Sequence, residues 1–216
     1  MTARLLAVSA ALGAAVLLPA ARASDDVTVS LCDGESTLTV PGLKPGVELA
    51  REEAKNVAAD MMQVWRRNQG EVRWAAWVRE AEAVAARAAA PAQAAPAAQA
   101  GQPTKFTARD QMLWKREEKK WVEEGYKAFH NAKALGGTIG ISCDMCHPDG
   151  SNNHAETYPK FQAQLKKVAL LRDMINWCIE NPLKGKPLPE NDPNLRAVEA
   201  YLLSVRKGAA LEPGKH

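Results

Sequence analysis

The sequence predicts a mainly α-helical protein, with a helical domain at the C-terminus preceded by a small α+β or helical N-terminal region. Three observations predict this organisation. In long stretches of both regions, apolar residues recur at steps of three and four, which is the period of a helix with one buried face. Short alternations of apolar and polar residues, typical of strands, occur before residue 41. An Ala/Pro-rich stretch at residues 91–103 has too few large apolar groups to pack and predicts a linker between the regions.

Residues 1–23 have the composition of a targeting segment. Arg4 supplies a positive charge, residues 5–18 are apolar, and Ala21-Arg22-Ala23 resembles the cleavage site of a secretory signal peptide. The apolar run is shorter than the ~20 residues that a spanning helix needs. We therefore predict a signal peptide over residues 1–23, the alternative being a retained membrane anchor. No later stretch is apolar enough to span a membrane, so the exported protein is expected to have no membrane span.

The charge balance gives no argument for a nucleic-acid partner or a membrane surface. Without residues 1–23 the chain has 26 Lys and Arg against 25 Asp and Glu, close to neutral. The two regions differ, because residues 24–103 carry a net charge of −3 and residues 104–216 carry +4. The C-terminal region is therefore mildly basic.

The N-terminal region, residues 24–90, is predicted to be a hairpin followed by two helices. The alternating stretches 27–31 and 36–40 flank Asp33-Gly34, a dipeptide typical of tight turns. From Glu48 onward, apolar residues recur at the spacing of a helix, and Gly70 separates two helical runs. We expect the tryptophans of this region to fill a small core, the alternative being a face for a cofactor or a partner. They are Trp65, Trp74 and Trp77.

The C-terminal region, residues 104–216, contains three helical stretches. The first is predicted over residues 107–132, with Thr107 as its N-cap. A short helix follows over residues 171–180 and ends at Asn181-Pro182. The last is predicted over residues 194–207 and ends at Gly208. Between residues 161 and 171 the pattern is mixed and defines no element.

The sequence Cys143-Asp144-Met145-Cys146-His147 has the spacing C-x-x-C-H, which is the attachment signature of a c-type haem. The two thiols are close enough to bond one porphyrin, and the histidine that follows is placed as the proximal iron ligand. The alternatives are a zinc site or a redox-active C-x-x-C pair. Zinc would need two further ligands, and the remaining cysteines, Cys32 and Cys178, lie far apart in sequence. We predict one covalent haem c.

The sixth iron position decides the chemistry of such a haem. Met174 follows His147 in a helix that could bring its thioether to the iron, although methionine is also a common core residue. Cys178 lies one helical turn further on and is the alternative ligand. Cysteines in an oxidising compartment rarely stay free, so Cys178 could instead form a disulfide with Cys32. Iron ligation by Cys178 and a disulfide between Cys178 and Cys32 exclude each other.

From Glu124 onward the chain resembles class I c-type cytochromes. The segments EEGYKAFHNAKALGGTIGISCDMCH and LLRDMINWCIENPLKGKPLPENDPNLRAVEAYLLSV resemble the haem domains of bacterial sulfur-oxidising cytochromes, such as thiosulfate dehydrogenase and the haem-bearing A subunit of the Sox complex. The resemblance implies a cytochrome c fold in which the last helix crosses the first, with Gly125 allowing close contact. It also implies a cysteine as distal ligand of the active haem. That role falls on Met174 in one register and on Cys178 in the other.

These observations favour a periplasmic monohaem cytochrome that carries single electrons between redox protein partners. The alternative is a haem subunit of a sulfur-compound, or thiosulfate, oxidising enzyme, and the sequence leaves open whether the protein is an enzyme. The resemblance implies partners in a respiratory or sulfur-oxidation complex. A third hypothesis is that residues 24–90 bind such a complex. Basic residues near the haem motif could form a docking rim, or simply be solvated surface: Lys160, Lys166, Lys167, Lys184 and Lys186.

Overall fold

The computed structural model of the chain describes residues 26–89 and 106–215, with side chains of the first range described through residue 87. The predicted signal peptide, the predicted linker over residues 91–103 and the final histidine lie outside the described residues. The described part of the chain is mostly helical, which confirms the predicted fold class. None of its helices is long and apolar enough to cross a membrane.

The N-terminal region is a two-stranded hairpin followed by two helices, as the sequence predicts. Antiparallel β1 and β2 pair so that residues 27 and 40 face each other. Asp33 stabilises the turn between them by accepting hydrogen bonds from the backbone N–H groups of residues 35 and 36. Gly70, at φ +85°, separates the helices. The elements are β1 (Val27–Ser30), β2 (Thr37–Val40), α1 (Arg51–Gln69) and α2 (Glu71–Ala89).

In residues 106–215 the structure has three α-helices, which the sequence predicts, and one small hairpin, which it does not predict. Thr107 caps α3 as predicted, since its hydroxyl oxygen accepts the backbone N–H of Asp110 at 3.2 Å. The hairpin of β3 and β4 is only three residues per strand, too short to show an alternating pattern. The elements are α3 (Ala108–Phe129), β3 (Lys160–Gln162), β4 (Lys167–Ala169), α4 (Leu171–Glu180) and α5 (Pro193–Val205).

Helices α3 and α5 pack closely against each other through Gly125. A Cβ atom at this position would lie 1.9 Å from the carbonyl oxygen of Ala197 and 2.7 Å from the Cβ of Tyr201. The absence of a side chain therefore lets the two backbones approach, as the resemblance to cytochromes c implies. Tyr201 then packs edge-on to Tyr126, with ring centroids 5.6 Å apart.

We expect Gly125→Ala to lower the free energy of unfolding by about 1–3 kcal/mol, because the added methyl group overlaps the α5 backbone. On an exposed helix surface the same change would stabilise the protein by up to about 1 kcal/mol, so the sign of the effect tests the packing. Urea unfolding followed by circular dichroism measures it. Glu124→Ala, on the exposed side of the same helix, is the control and should have little effect. A stabilised Gly125→Ala variant would contradict the α3–α5 contact.

The buried apolar side chains of the two regions form one cluster, to which the hairpin and α1 contribute together with α3, α4 and α5. The backbone N–H of Leu49 donates to the carbonyl of Ile139 across the two regions at 3.4 Å. The tryptophans of α1 and α2 are half-buried, and Trp74 stacks on Trp77 with centroids 5.1 Å apart. The N-terminal region thus packs directly on the C-terminal one, whereas the domain boundary at residues 91–103 stays a prediction.

Candidate functional site

The C-x-x-C-H motif forms a tight turn at the wall of a large cavity. Residues 143–145 are a single 3₁₀ turn, and the backbone N–H of His147 donates to the carbonyl of Cys143 at 2.9 Å. This turn brings both thiols and the imidazole to the cavity surface. The sequence predicted these three residues as one site, and the structure brings them together.

The cavity encloses a volume of about 200 Å³ and is partly open to solvent. It lies between the motif, α4 and α5, and most of its wall is apolar. Such a wall suits a porphyrin, whose faces are apolar. The apolar lining residues are Phe129, Ile141, Leu171, Ile175, Val198 and Leu202.

The two ring nitrogens of His147 have different roles. Nδ1 lies 2.9 Å from the backbone carbonyl oxygen of Ser151, to which it can only donate a hydrogen bond. Nε2 is then the unprotonated nitrogen, as it must be to bind iron, and a carbonyl acceptor on the other nitrogen is the usual support for a metal-ligating histidine. These features fit His147 as the proximal ligand of a c-type haem.

The two motif cysteines do not have the properties of a redox-active C-x-x-C pair. Burial raises the pKa of Cys143 to about 12, whereas the reactive cysteine of such pairs has a lowered pKa. Burial also raises the pKa of Cys146. In the described part of the chain, no three His, Cys, Asp or Glu side chains are arranged to hold a metal ion by themselves. The donor set therefore matches haem attachment better than the zinc or dithiol alternatives.

Three further sulfur atoms line the same cavity: those of Met174, Cys178 and Cys32. The side-chain amide of Gln164 lies 3.5 Å from the thioether of Met174. The thiols of Cys178 and Cys32 are 3.7 Å apart, and Cys32 lines the cavity together with His147. Both distal candidates predicted from the sequence are thus at the cavity.

The hydrogen bond between Cys32 and Cys178 shifts the two pKa values in opposite directions. It lowers the pKa of Cys32 well below its usual value, although burial opposes this. Together with burial, it raises the pKa of Cys178 well above its usual value. The disulfide with Cys32 that the sequence offered as an alternative for Cys178 requires these two thiols to be neighbours, and the structure places them together at the cavity.

The unpredicted β3–β4 hairpin supplies polar groups to the cavity wall. The side-chain amide of Gln162 donates to the hydroxyl oxygen of Tyr158 at 2.6 Å, and burial raises the pKa of this phenol. The ammonium group of Lys160 lies 4.9 Å from the centre of the Tyr158 ring. These residues, with Gln164, line the cavity and could hold the carboxylate groups of a porphyrin.

A network of charged groups around the buried Glu156 joins the N-terminal region to the cavity wall. Arg206 donates two hydrogen bonds to Glu156, at 2.6 and 2.7 Å, and one to Glu80 of α2 at 2.9 Å. The ring nitrogens of His154, another cavity residue, lie 3.5 Å from each of the two glutamates. The ring of His154 thus lies between these carboxylates. His130 contacts Tyr126 and Asp149 instead.

We expect Glu156→Gln to lower the free energy of unfolding at pH 7 by roughly 1.5–3 kcal/mol, the range for a hydrogen bond to a charged group. Burial acts to raise the pKa of Glu156, but the hydrogen bonds from Arg206 and from the backbone, together with the positive charge of Arg206, outweigh it and the pKa is lowered. A lowered pKa stabilises the fold above the unfolded-state pKa near 4.3, and this contribution is lost as the pH falls through the folded-state pKa. The difference between wild type and variant should therefore shrink below about pH 4.

Urea unfolding at pH 7 and at several acidic pH values measures this difference. Glu118→Gln is the matched control, because Glu118 forms an exposed ion pair with Lys207 at 3.5 Å and should contribute little. If the difference in the free energy of unfolding between wild type and Glu156→Gln did not change with pH, the charge of Glu156 would not be the cause of its stabilising effect.

Comparison with known proteins identifies the C-terminal region. Residues 124–211 match the family model described as SoxA/TsdA, cytochrome c domain. A thiosulfate dehydrogenase of Psychrobacter arcticus is 29% identical over 83 residues, which cover 34% of this chain and 25% of that protein. The match thus spans about a quarter of the length of this relative. The comparison with solved structures found no match.

The family match covers the residues around the cavity on the C-terminal side, including the motif, α4 and α5. A domain of this kind implies covalently bound haem c, and the cavity and the C-x-x-C-H turn fit that group. Residues 124–211 are therefore similar to the cytochrome c domain of SoxA and TsdA proteins.

Proposed function

We propose that this protein is a periplasmic monohaem cytochrome that carries single electrons between redox protein partners. The proposal rests mainly on one arrangement, in which His147 and the thioether of Met174 line one largely apolar cavity beside the two attachment cysteines. In this proposal Cys143 and Cys146 hold one haem c covalently, His147 is its proximal ligand and Met174 its distal ligand. Bound haem would supply a reversible one-electron couple.

The side chains around the cavity have separate roles in this function. A thioether ligand favours the ferrous state and raises the reduction potential, as is typical of electron-carrying cytochromes. The carbonyl of Ser151 would keep His147 in the required tautomer. The apolar wall formed by α4 and α5 would limit the access of water. Electron transfer then needs no substrate bound to the iron.

Export is part of the proposal. Its support is the signal-peptide pattern over residues 1–23 and the relation to cytochromes that are typically periplasmic. We further propose that residues 104–216 form the haem domain and that residues 91–103 are a linker to the N-terminal region at 24–90. In this arrangement the N-terminal region covers the haem motif, since Trp65 and Trp77 line a second cavity with Cys146 and His147.

The partner would be a redox protein with an acidic docking surface. Lys166, Lys167 and Lys186 are exposed near the β3–β4 hairpin and α4, and their charge could guide such a partner. Lys167 also pairs with Asp173 at 3.1 Å, which reduces its contribution. A respiratory or sulfur-oxidation complex would provide partners of this kind.

A second candidate function is that of a haem subunit in thiosulfate oxidation. The match to the SoxA/TsdA domain and the similarity to a thiosulfate dehydrogenase favour it. In that case Cys178 would be the distal ligand in place of Met174. The contact of Cys178 with Cys32 supports the electron-carrier proposal instead, because it engages the Cys178 thiol with another residue.

The two functions are separated by a potentiometric titration and a thiosulfate assay on the same holoprotein. The electron-carrier proposal predicts a single one-electron transition and no thiosulfate-dependent reduction of ferricyanide. Cys178→Ser should behave like wild type in both measurements. Thiosulfate oxidation by the isolated wild-type protein, lost in Cys178→Ser, would overturn the proposal in favour of the second function.

A further inference from the structure

Two cysteines from opposite ends of the chain meet at the wall of the haem cavity. The Sγ atoms of Cys32 and Cys178 are 3.7 Å apart, although the residues are 146 positions apart in sequence. Cys32 follows β1 in the N-terminal hairpin, and Cys178 lies in α4 of the cytochrome domain. Such a contact between distant thiols requires the two regions to be packed together.

The position of Cys32 is determined by its neighbours rather than by the hairpin alone. The side-chain amide of Gln164, in the β3–β4 turn, donates to the carbonyl of Cys32 at 2.9 Å. Gly34 lies directly against the same glutamine, and a Cβ atom there would be 2.5 Å from the Cβ of Gln164. Because Gly34 also has φ +74°, a side chain at this position would disturb both the turn and the contact.

The position of Cys178 is equally restricted. It lies in α4 between Ile175 and Ile179, which are both buried in the core. Its carbonyl accepts the backbone N–H of Leu183, in the loop that follows the helix, at 3.1 Å. Two thiols on such well-packed elements remain neighbours, so a small movement of the sulfur atoms is enough to bring them to bonding distance.

We propose that Cys32 and Cys178 form a disulfide bond that joins the N-terminal region to the cytochrome domain. Each thiol loses its hydrogen, one Sγ–Sγ bond forms, and two electrons and two protons are released. The oxidant is the disulfide of an exported thiol oxidoreductase, which accepts them by thiol–disulfide exchange and becomes a dithiol. The inference goes beyond the proposed electron carriage and rests on its export to an oxidising compartment.

This bond has two consequences for the protein. It closes a loop of more than a hundred residues, and long loops are those in which a cross-link restricts the unfolded chain most. It also uses the thiol of Cys32, which lies at the cavity with His147, and the thiol of Cys178. Neither cysteine is then available to the haem iron. Met174 is then the sulfur of this cluster that remains for the sixth position.

The test is the thiol state of signal-processed, haem-bearing protein, isolated without reductant and alkylated under denaturing conditions. We expect intact-mass analysis to find no alkylated cysteine in wild type and two after reduction, because the other two cysteines carry haem. Cys32→Ser and Cys178→Ser should each show one alkylated cysteine without reduction. Two alkylated cysteines in unreduced wild type would overturn the proposal.

Stability provides an independent measurement. Each single serine variant should unfold at a lower urea concentration than wild type, and the double variant at about the same concentration as the singles, since either change removes the cross-link. Addition of reductant should lower the wild-type midpoint to that of the variants. If the decrease in the urea midpoint of the double variant equalled the sum of the decreases in the two single variants, that would contradict a shared bond.

The outcomes also separate this proposal from the proposed function. If both cysteines are alkylated but the methionine–iron charge-transfer band is present, the disulfide is wrong and the electron carrier stands. If the disulfide is found but the band is absent, the disulfide stands and Met174 is not the ligand.

Discussion

Replacement of both Cys143 and Cys146 by alanine is expected to abolish covalent haem attachment. The two thiols lie side by side on one 3₁₀ turn at the cavity wall, where they would bond the porphyrin. The double variant should lack the mass of a haem in denaturing mass spectrometry and should give no haem stain after denaturing electrophoresis. Because the apolar cavity would then lack the haem that stabilises the folded state, the variant should also be less stable than wild type.

The matched control is Cys32→Ser, which changes a thiol at the same cavity but outside the motif. This variant should keep its covalent haem. Loss of haem in Cys32→Ser, or its covalent retention in the Cys143/Cys146 double variant, would contradict the assignment of the attachment residues.

Met174→Leu is expected to change the ligation of the iron without loss of the haem. Leucine keeps most of the side-chain volume of methionine and removes the sulfur. The ferric protein should lose the weak sulfur-to-iron charge-transfer band at the red end of the visible spectrum. Its reduction potential should fall by on the order of 0.1 V or more, within the ~0.8 V range that axial ligands span. Visible spectroscopy and potentiometry measure the two effects.

Met145→Leu is the control for this experiment, because Met145 is a half-buried methionine within the haem motif itself. Its band and potential should stay close to those of wild type. A low-spin thiolate signal in electron paramagnetic resonance that is present in wild type and unchanged in Met174→Leu would assign the sixth position to a cysteine. Cys178→Ser and Cys32→Ser would then show which one.

Local sequence patterns were sufficient for the helices and for the haem motif. Each helix has its own apolar period and its own boundary residues, such as Thr107 at the start of α3 and Gly70 after α1. The motif is equally local, since five consecutive residues carry both predicted attachment points and the predicted proximal ligand. The β3–β4 hairpin escaped prediction because its strands are three residues long and are held by their contacts with α4 and the cavity.

The sequence by itself determined the mainly helical fold, and one local motif predicts a covalent haem c and the residues that would attach it, because short-range spacing decides all three. Only the tertiary structure decided what surrounds the cofactor. Cys32 reaches the cavity because its turn contacts Gln164 and Cys178. Arg206 joins Glu80 to Glu156 because α2 and α5 both contact the turn at residues 148–150. These residues are far apart in the chain, and burial of one shared apolar core is what brings them together.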